Sequence, residues 1–255
     1  MTVHFIGAGP GAADLMTLRG QRLIATSPVC VYAGALVPKE LLAHAPAGAR
    51  LVDTQDLTLD QIIDELRAAH GRDEDVARLQ SGDLSIYSAV GEQTRCLDGL
   101  GIAWDLTPGV PAFSAAAAVL GKELTLPGVA QTVILTRYSK RSTPLPEGER
   151  LAALAQHRTT LVIHLGVHAI DEIVAVLEPV YGSGCPVAVV ARASWPDELI
   201  LRASLASIAA KVRDARVLRT AVIFVGPALA TGAFDDSYLY STARERIESE
   251  ESALG

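Results

Sequence analysis

Short apolar runs rich in β-branched residues alternate with segments of helical period along this chain. That alternation constrains the fold more than any other feature. In the first half the runs are VHFIG, VCVYA, LVD, DVARL and AWDL. Between them Ile62, Ile63, Leu66 and Ala69 share one helical face. Tyr87, Val90, Thr94, Leu97 and Leu100 are expected to share another. Such alternation predicts mostly parallel strands joined by helical crossovers. The second half repeats the pattern with QTVILT, TLVIHL, PVAVVA, ELILRA and AVIFV. Val167, Ile170, Ile173, Val174 and Leu177 mark one helix there, and Leu205, Ile208, Ala209 and Val212 another. SWPD is a turn signal just ahead of ELILRA, so PVAVVA and ELILRA are expected to pair antiparallel and the second sheet to be mixed.

Gly and Pro interrupt the periodicity in GKELTLPGVAQ, residues 121 to 131. We therefore expect an N-terminal α/β domain over 1–121, a C-terminal α/β domain over 122–240, and a charged tail, frayed or disordered, over 241–255. The stretch SKRSTPLPEGE, residues 139 to 149, is polar and Pro-rich, and on composition alone it reads as a solvated loop.

The formal net charge of −7 argues against nucleic acid as a partner, which requires a surplus of Lys and Arg. A local basic patch on an acidic surface still suits an anionic small substrate. The three cysteines, Cys30, Cys96 and Cys185, form no C-x-x-C, so neither a disulfide framework nor a zinc site is favoured. His164 and His168 are four apart, but one falls in a strand and the other after a glycine turn, so no metal is expected. No signal-like segment or apolar span is evident, and the expectation is a cytoplasmic protein with no membrane association.

The first strand runs into GAGPGAADL, residues 7 to 15. Gly7-x-Gly9-x-x-Ala12 fits the dinucleotide fingerprint, which also needs an acid near the end of the second strand to hold the ribose. VCVYAGALV has Ala33 and Gly34 there. Pro10 removes an N–H from a turn that would need donors to cradle a pyrophosphate. It stiffens the turn and leaves carbonyls available, which suits a neutral or cationic ligand better. Two further small-residue turns follow strands: Ser81-Gly82-Asp83 after DVARL, and Pro108-Gly109-Val110-Pro111 after AWDL. In an open parallel sheet, ligands collect at the carboxyl ends of strands, so the three turns are expected to line one crevice. Asp83 reads equally as a helix N-cap.

These motifs, GAGPG with DLMTLRG, VYAGALVP, SGDLSIYSA and TPGVPAFSAAAA, together resemble the tetrapyrrole methyltransferases, S-adenosylmethionine-dependent enzymes of corrin and sirohaem synthesis. VYAGALVP, LTLDQI and TRYSKRSTPLPEGE resemble the branch that methylates C11 of a corrin precursor. The resemblance implies two α/β domains, the first with a mostly parallel sheet and the second with a mixed one, and a cofactor trough between them. It implies homodimers that bind S-adenosylmethionine and release S-adenosylhomocysteine. Carried over by motif, the cofactor positions are Pro10; Ser81, Gly82, Asp83, Ile86 and Tyr87; Pro111 and Ala112; and Leu165, Ala193, Pro227 and Ala228. Arg137, Lys140, Arg141 and Arg192 would face a polycarboxylate tetrapyrrole; a solvated face is the other reading of each. The chain departs from the family at Leu84, where Gly-Asp-Pro is usual, and at Ala33, where uroporphyrinogen methyltransferases carry an acid. The resemblance assigns no catalytic base. An NAD(P)-dependent oxidoreductase, a sibling methyltransferase acting at another carbon and a non-catalytic binding module remain the alternatives.

Overall fold

The computed structural model describes residues 1–138, 143–230, 232 and 234–240. Lys140, Arg141 and the tail over 241–255 lie outside the described residues. All ten apolar runs form strands. The first five are β1 (Thr2–Gly7), β2 (Val29–Tyr32), β3 (Arg50–Asp53), β4 (Val76–Gln80) and β5 (Ala103–Thr107). They make one sheet in the order β3-β2-β4-β1-β5, parallel throughout. Its crossovers contain α1 (Leu18–Thr26), α2 (Lys39–Leu42), α3 (Leu59–His70) and α4 (Val90–Leu100), and α5 (Ala112–Leu120) follows β5.

Both faces of this sheet are covered, as parallel sheets require. Val3, Phe5, Val29, Val31 and Val76 pack with Leu66 and Ala69 of α3 and Leu97 of α4. On the other face Ile6, Cys30, Ala77 and Leu79 pack with Ile24 of α1 and Leu41 of α2. β1 lies between β4 and β5. The chain leaves β1 toward β2 on one side and leaves β4 toward β5 on the other. The carboxyl ends of β1 and β4 therefore form the topological switch point, where open α/β sheets take ligands.

One helical face differs from expectation. α4 begins only at Val90 and buries Gln93, Thr94 and Leu97. Tyr87 precedes it in a left-handed conformation (φ 53°), and Leu100 is exposed. The helical period was genuine, but a turn with positive φ cuts it short at its start.

The second sheet contains β6 (Val133–Arg137), β7 (Thr160–His164), β8 (Pro186–Ala191), β9 (Leu199–Ser204) and β10 (Ala221–Val225), in the order β6-β7-β10-β8-β9. It is mixed: β6 pairs parallel with β7, and β7 pairs antiparallel with β10. Only Arg192–Glu198 separates the neighbours β8 and β9, a link short enough to join only antiparallel strands. Helices α6 (Leu151–Ala155), α7 (Ile170–Tyr181) and α8 (Leu205–Asp214) accompany this sheet.

The chain divides into two units. The first takes Met1–Gly121 together with Val189–Leu201 and Arg216–Val222; the second takes Lys122–Ala188, Arg202–Ala215 and the described residues from Ile223 on. The turn end of the β8–β9 hairpin, Val189–Leu201, thus belongs to the first unit, although its strands belong to the second sheet. Among the described residues no helix is long and apolar enough to cross a membrane.

Candidate functional site

Three glycine turns meet at the switch point of the first unit. Gly9 and Gly82 form an antiparallel bridge: Gly9 N donates to Gly82 O at 3.1 Å, and Gly82 N donates to Gly9 O at 2.7 Å. Gly109, after β5, packs so tightly that a Cβ on it would lie 2.2 Å from Gly82 O and 2.7 Å from Gly7 O. Only glycine fits where three backbones approach this closely. Ala112 joins them, its N 3.8 Å from where a Cβ of Gly82 would stand.

Asp83 fastens two of the turns. Its Oδ2 accepts from Gly109 N at 2.9 Å, and its Oδ1 accepts from Ser85 N at 2.8 Å and from the Ser85 hydroxyl. Burial pushes its carboxyl up, but the Ser85 hydroxyl and the amides of Gly109, Ser85 and Leu84 outweigh that and hold the group below the usual carboxylate range. Asp83 is therefore an anion at neutral pH, tying together the turns after β4 and β5. It caps no helix, since α4 starts seven positions later.

The first turn is held by the β8–β9 hairpin. Trp195 Nε1 donates to Pro10 O at 2.9 Å, and the indole lies flush against Gly11, where a Cβ would stand 2.3 Å from Cδ1. Ser194 Oγ accepts from Ala12 N at 3.0 Å. The hairpin is braced in turn by Ser194 N donating to Glu198 at 2.7 Å, by Arg192 paired with Asp197 at 2.5 Å, and by the Arg192 guanidinium over the Trp195 ring at 4.5 Å. One lone pair of the Pro10 carbonyl is thus taken by the indole of Trp195.

These bonds take up three of the donors that a diphosphate would use in this turn. Ala8 N goes to Gln80 O, Gly9 N to Gly82 O and Ala12 N to Ser194, while Pro10 has no N–H. No α-helix opens on the turn either. A 3₁₀ turn, Ala13–Leu15, intervenes, and α1 begins at Leu18 behind its Thr17 cap. The dinucleotide fingerprint in the sequence is thus a match of letters without a helix N-terminus behind it.

In the second unit Leu165 follows β7 and is 61% exposed, with φ 54°. Pro227 and Ala228 follow β10, and Ala228 is fully buried. Because β7 and β10 run antiparallel, Leu165 stands at one end of the pair and Pro227 and Ala228 at the other. Tyr138 and His164 flank Leu165: Tyr138 N donates to His164 O at 3.1 Å, and the Tyr138 hydroxyl donates to Glu172 at 2.9 Å. Burial, reinforced by Glu172, raises the Tyr138 pKa, and burial lowers that of His164. Arg137 donates to Thr143 O at 2.7 Å. Among the described residues no group of three or more His, Cys, Asp or Glu could hold a metal ion.

Known proteins resemble this arrangement closely. The family model for Tetrapyrrole (Corrin/Porphyrin) Methylases matches residues 2–209. A protein of Rhodococcus erythropolis named precorrin-4 C(11)-methyltransferase is 59% identical over 246 residues, covering 96% of this chain and 99% of the relative. The chain belongs to the tetrapyrrole methylase family. Among solved structures, a cobalt precorrin-4 methyltransferase of cobalamin biosynthesis superposes with a TM-score of 0.87 at 34% identity, covering 90% of this chain and 96% of that one. Uroporphyrin-III C-methyl transferase from Thermus thermophilus, complexed with S-adenosyl homocysteine, gives 0.74 at 28% identity, covering 90% and 99%.

Within this tetrapyrrole methylase, Pro10, Ser81, Gly82, Asp83 and Ala112 lie on or beside the turns that meet at the switch point of the first unit, with Ala193 beside Ser194 in the bracing hairpin. Pro111 caps α5 at its edge. Ile86 and Tyr87 lie on the strained turn before α4. Arg192 is engaged by Asp197 and Trp195. The residues that sequence reasoning missed are Trp195 and Ser194, read only as part of a turn signal. No local pattern announces a contact 185 positions away in sequence.

Proposed function

We propose that the chain transfers the methyl group of S-adenosylmethionine to C11 of precorrin-4, giving precorrin-5 and S-adenosylhomocysteine, in cobalamin biosynthesis. The observation that carries this reading is the Gly9–Gly82–Asp83–Gly109 constellation. Its amides bond to one another or to a carboxylate, and that carboxylate is ionised. The crevice therefore repels a diphosphate and favours a cation. Small residues at Gly82 and Ala112 leave room for an adenosyl group to approach backbone.

When bound, S-adenosylmethionine supplies an electrophilic methyl on sulfonium, which a nucleophilic ring carbon takes while the S–C electron pair stays on sulfur. The chain's task is then placement. Holding two reactants at about 3–3.5 Å supplies about 7–11 kcal/mol of a bimolecular barrier. Pro10, Ser81, Gly82, Asp83, Ile86, Tyr87, Pro111, Ala112 and Ala193 are assigned to the donor; Leu165, Pro227 and Ala228 are carried over by motif alone. Arg137, with Lys140 and Arg141 outside the described residues, is assigned to substrate carboxylates. The 59% identity to a relative named for C11 supports that carbon.

Incubation with methyl-labelled S-adenosylmethionine and precorrin-4, followed by NMR of the product, tests the assignment. A single labelled methyl on C11 is expected. A methyl on another carbon would make the chain a sibling enzyme, and no transfer would overturn the reading.

A further inference from the structure

Arg78, in the middle of β4, is 3% exposed on the face of the first sheet that packs against α3 and α4. By strand alternation it shares that face with Val76 of the apolar core. No carboxylate among the described residues pairs with it. Burial pulls its pKa down to about 10, against a smaller upward pull from Cys30, so it remains charged at neutral pH. A buried cation is costly unless its donors are satisfied. Here neutral oxygens serve Nε and Nη1: Nε donates to Gln93 Oε1 at 3.0 Å, and Nη1 to Thr54 Oγ1 at 3.3 Å and to Leu79 O at 3.5 Å. Thr54 passes its own proton to Tyr32 O at 3.0 Å.

The amide of Gln93 has one accepting end and one donating end. A guanidinium can only donate, so Arg78 takes Oε1 and leaves Nε2 pointing the other way. Nε2 donates to Ala89 O at 3.1 Å. Ala89 has φ 57° and Tyr87 φ 53°, and neither is glycine. Left-handed conformations in side-chain-bearing residues persist only where the surroundings enforce them. The Ser88 hydroxyl, donating to Leu84 O and accepting from Val90 N, supplies one constraint, and Gln93 supplies another.

We propose that Arg78 and Gln93 are positioning residues: Arg78 orients the Gln93 amide, and Gln93 holds the Ala89 carbonyl so that the Tyr87–Ala89 turn presents Ile86 and Tyr87 to the methyl donor. The last clause rests on the proposed function; the hold on the turn does not.

Gln93→Glu separates the two bonds. A carboxylate still pairs with Arg78, and gives the buried cation a counter-charge, but it cannot donate to Ala89. The double variant Arg78→Met/Gln93→Met removes the whole buried pair with side chains of similar volume, an exchange cores commonly tolerate. Hydrogen exchange of the 84–90 amides in the free chain reads the turn, and calorimetry with S-adenosylhomocysteine reads the site. Both variants are expected to fold with Tm at or above the wild-type value. The turn amides should exchange about ten-fold faster, and the Kd should rise about five-fold. Exchange and Kd within about two-fold of wild type in Gln93→Glu would overturn the proposal. If wild type itself fails to bind, the functional reading falls, and the exchange rates still decide whether Arg78 and Gln93 hold the turn.

Discussion

The two sheets solve the same problem with different residues. At the carboxyl ends of β1, β4 and β5 the chain turns on glycines, with φ 79° at Gly9 and 71° at Gly82. Around the second sheet it turns left-handed on ordinary side chains: Leu165 at 54°, Arg192 at 51°, Ser194 at 66° and Thr220 at 54°. Gly7 and Gly109 stand where backbone meets backbone and no Cβ fits, whereas Gly82 has space for a Cβ and is glycine for its backbone conformation. The other left-handed residues have room for side chains, and at Arg192 and Ser194 those side chains are in use, bracing the hairpin.

Substitutions break or sharpen that contrast. The largest effect is expected at Gly109, where alanine would drive a Cβ into Gly82 O; about 3 kcal/mol of destabilisation follows, or a Tm loss of about 6–12 °C in a chain of this size. Gly82→Ala meets only Ala112 N, at an uncrowded 3.8 Å, and the φ penalty, so about 1–2 kcal/mol is expected. Thermal melts of the pair distinguish crowding from conformation; equal losses would contradict the contrast. Trp195→Ala removes the ring packed on Gly11 and the bond to Pro10, at a cost of about 2–3 kcal/mol. Trp195→Phe keeps the packing and loses the bond alone, costing about 1 kcal/mol.

Asp83→Asn sharpens the comparison through pH. The folded pKa of Asp83 is depressed, so its contribution to stability is complete above the ordinary carboxylate pKa and disappears as pH falls through the folded value. The Tm gap between wild type and Asp83→Asn should be constant near neutrality and narrow below about pH 4. A gap that widens in acid would reverse the assignment of the carboxylate as a hydrogen-bonded anion. The smallest effect is expected at Leu165→Gly. Relief of left-handed strain offsets the entropy of glycine, leaving Tm within about 1 kcal/mol equivalent of wild type. The change should nevertheless weaken S-adenosylhomocysteine measurably in a titration.

Much of this was readable from the chain. Ten apolar runs became ten strands, and the central parallel ones were clearest because a strand buried on both faces reads as a near-continuous apolar run, as in VCVYA. The three turns were legible because Gly and Pro punctuate strand ends. What the turns do to one another was not, because the Gly9–Gly82 bridge and the Asp83–Gly109 bond depend on strand order, and strand order is not written in local pattern. Trp195 was hidden for the same reason. Arg78 did leave a trace: a cation alternating with Val76 on a strand buried on both faces demands a partner. Gln93, on the buried side of α4, is that partner. Tyr87 was misplaced because periodicity cannot register a residue with positive φ.

The most direct test of the central claim uses the two tryptophans as reporters. Trp195 braces the first turn, whereas Trp104, in β5, donates to Asp98 at 2.8 Å away from the glycine crevice. In an NMR titration of indole-labelled protein, S-adenosylhomocysteine is predicted to shift the Trp195 Nε1–H signal, leave that of Trp104 in place, and be unmatched by NAD at the same concentration. A Trp195 signal that ignores S-adenosylhomocysteine, or that answers to NAD, would contradict the account.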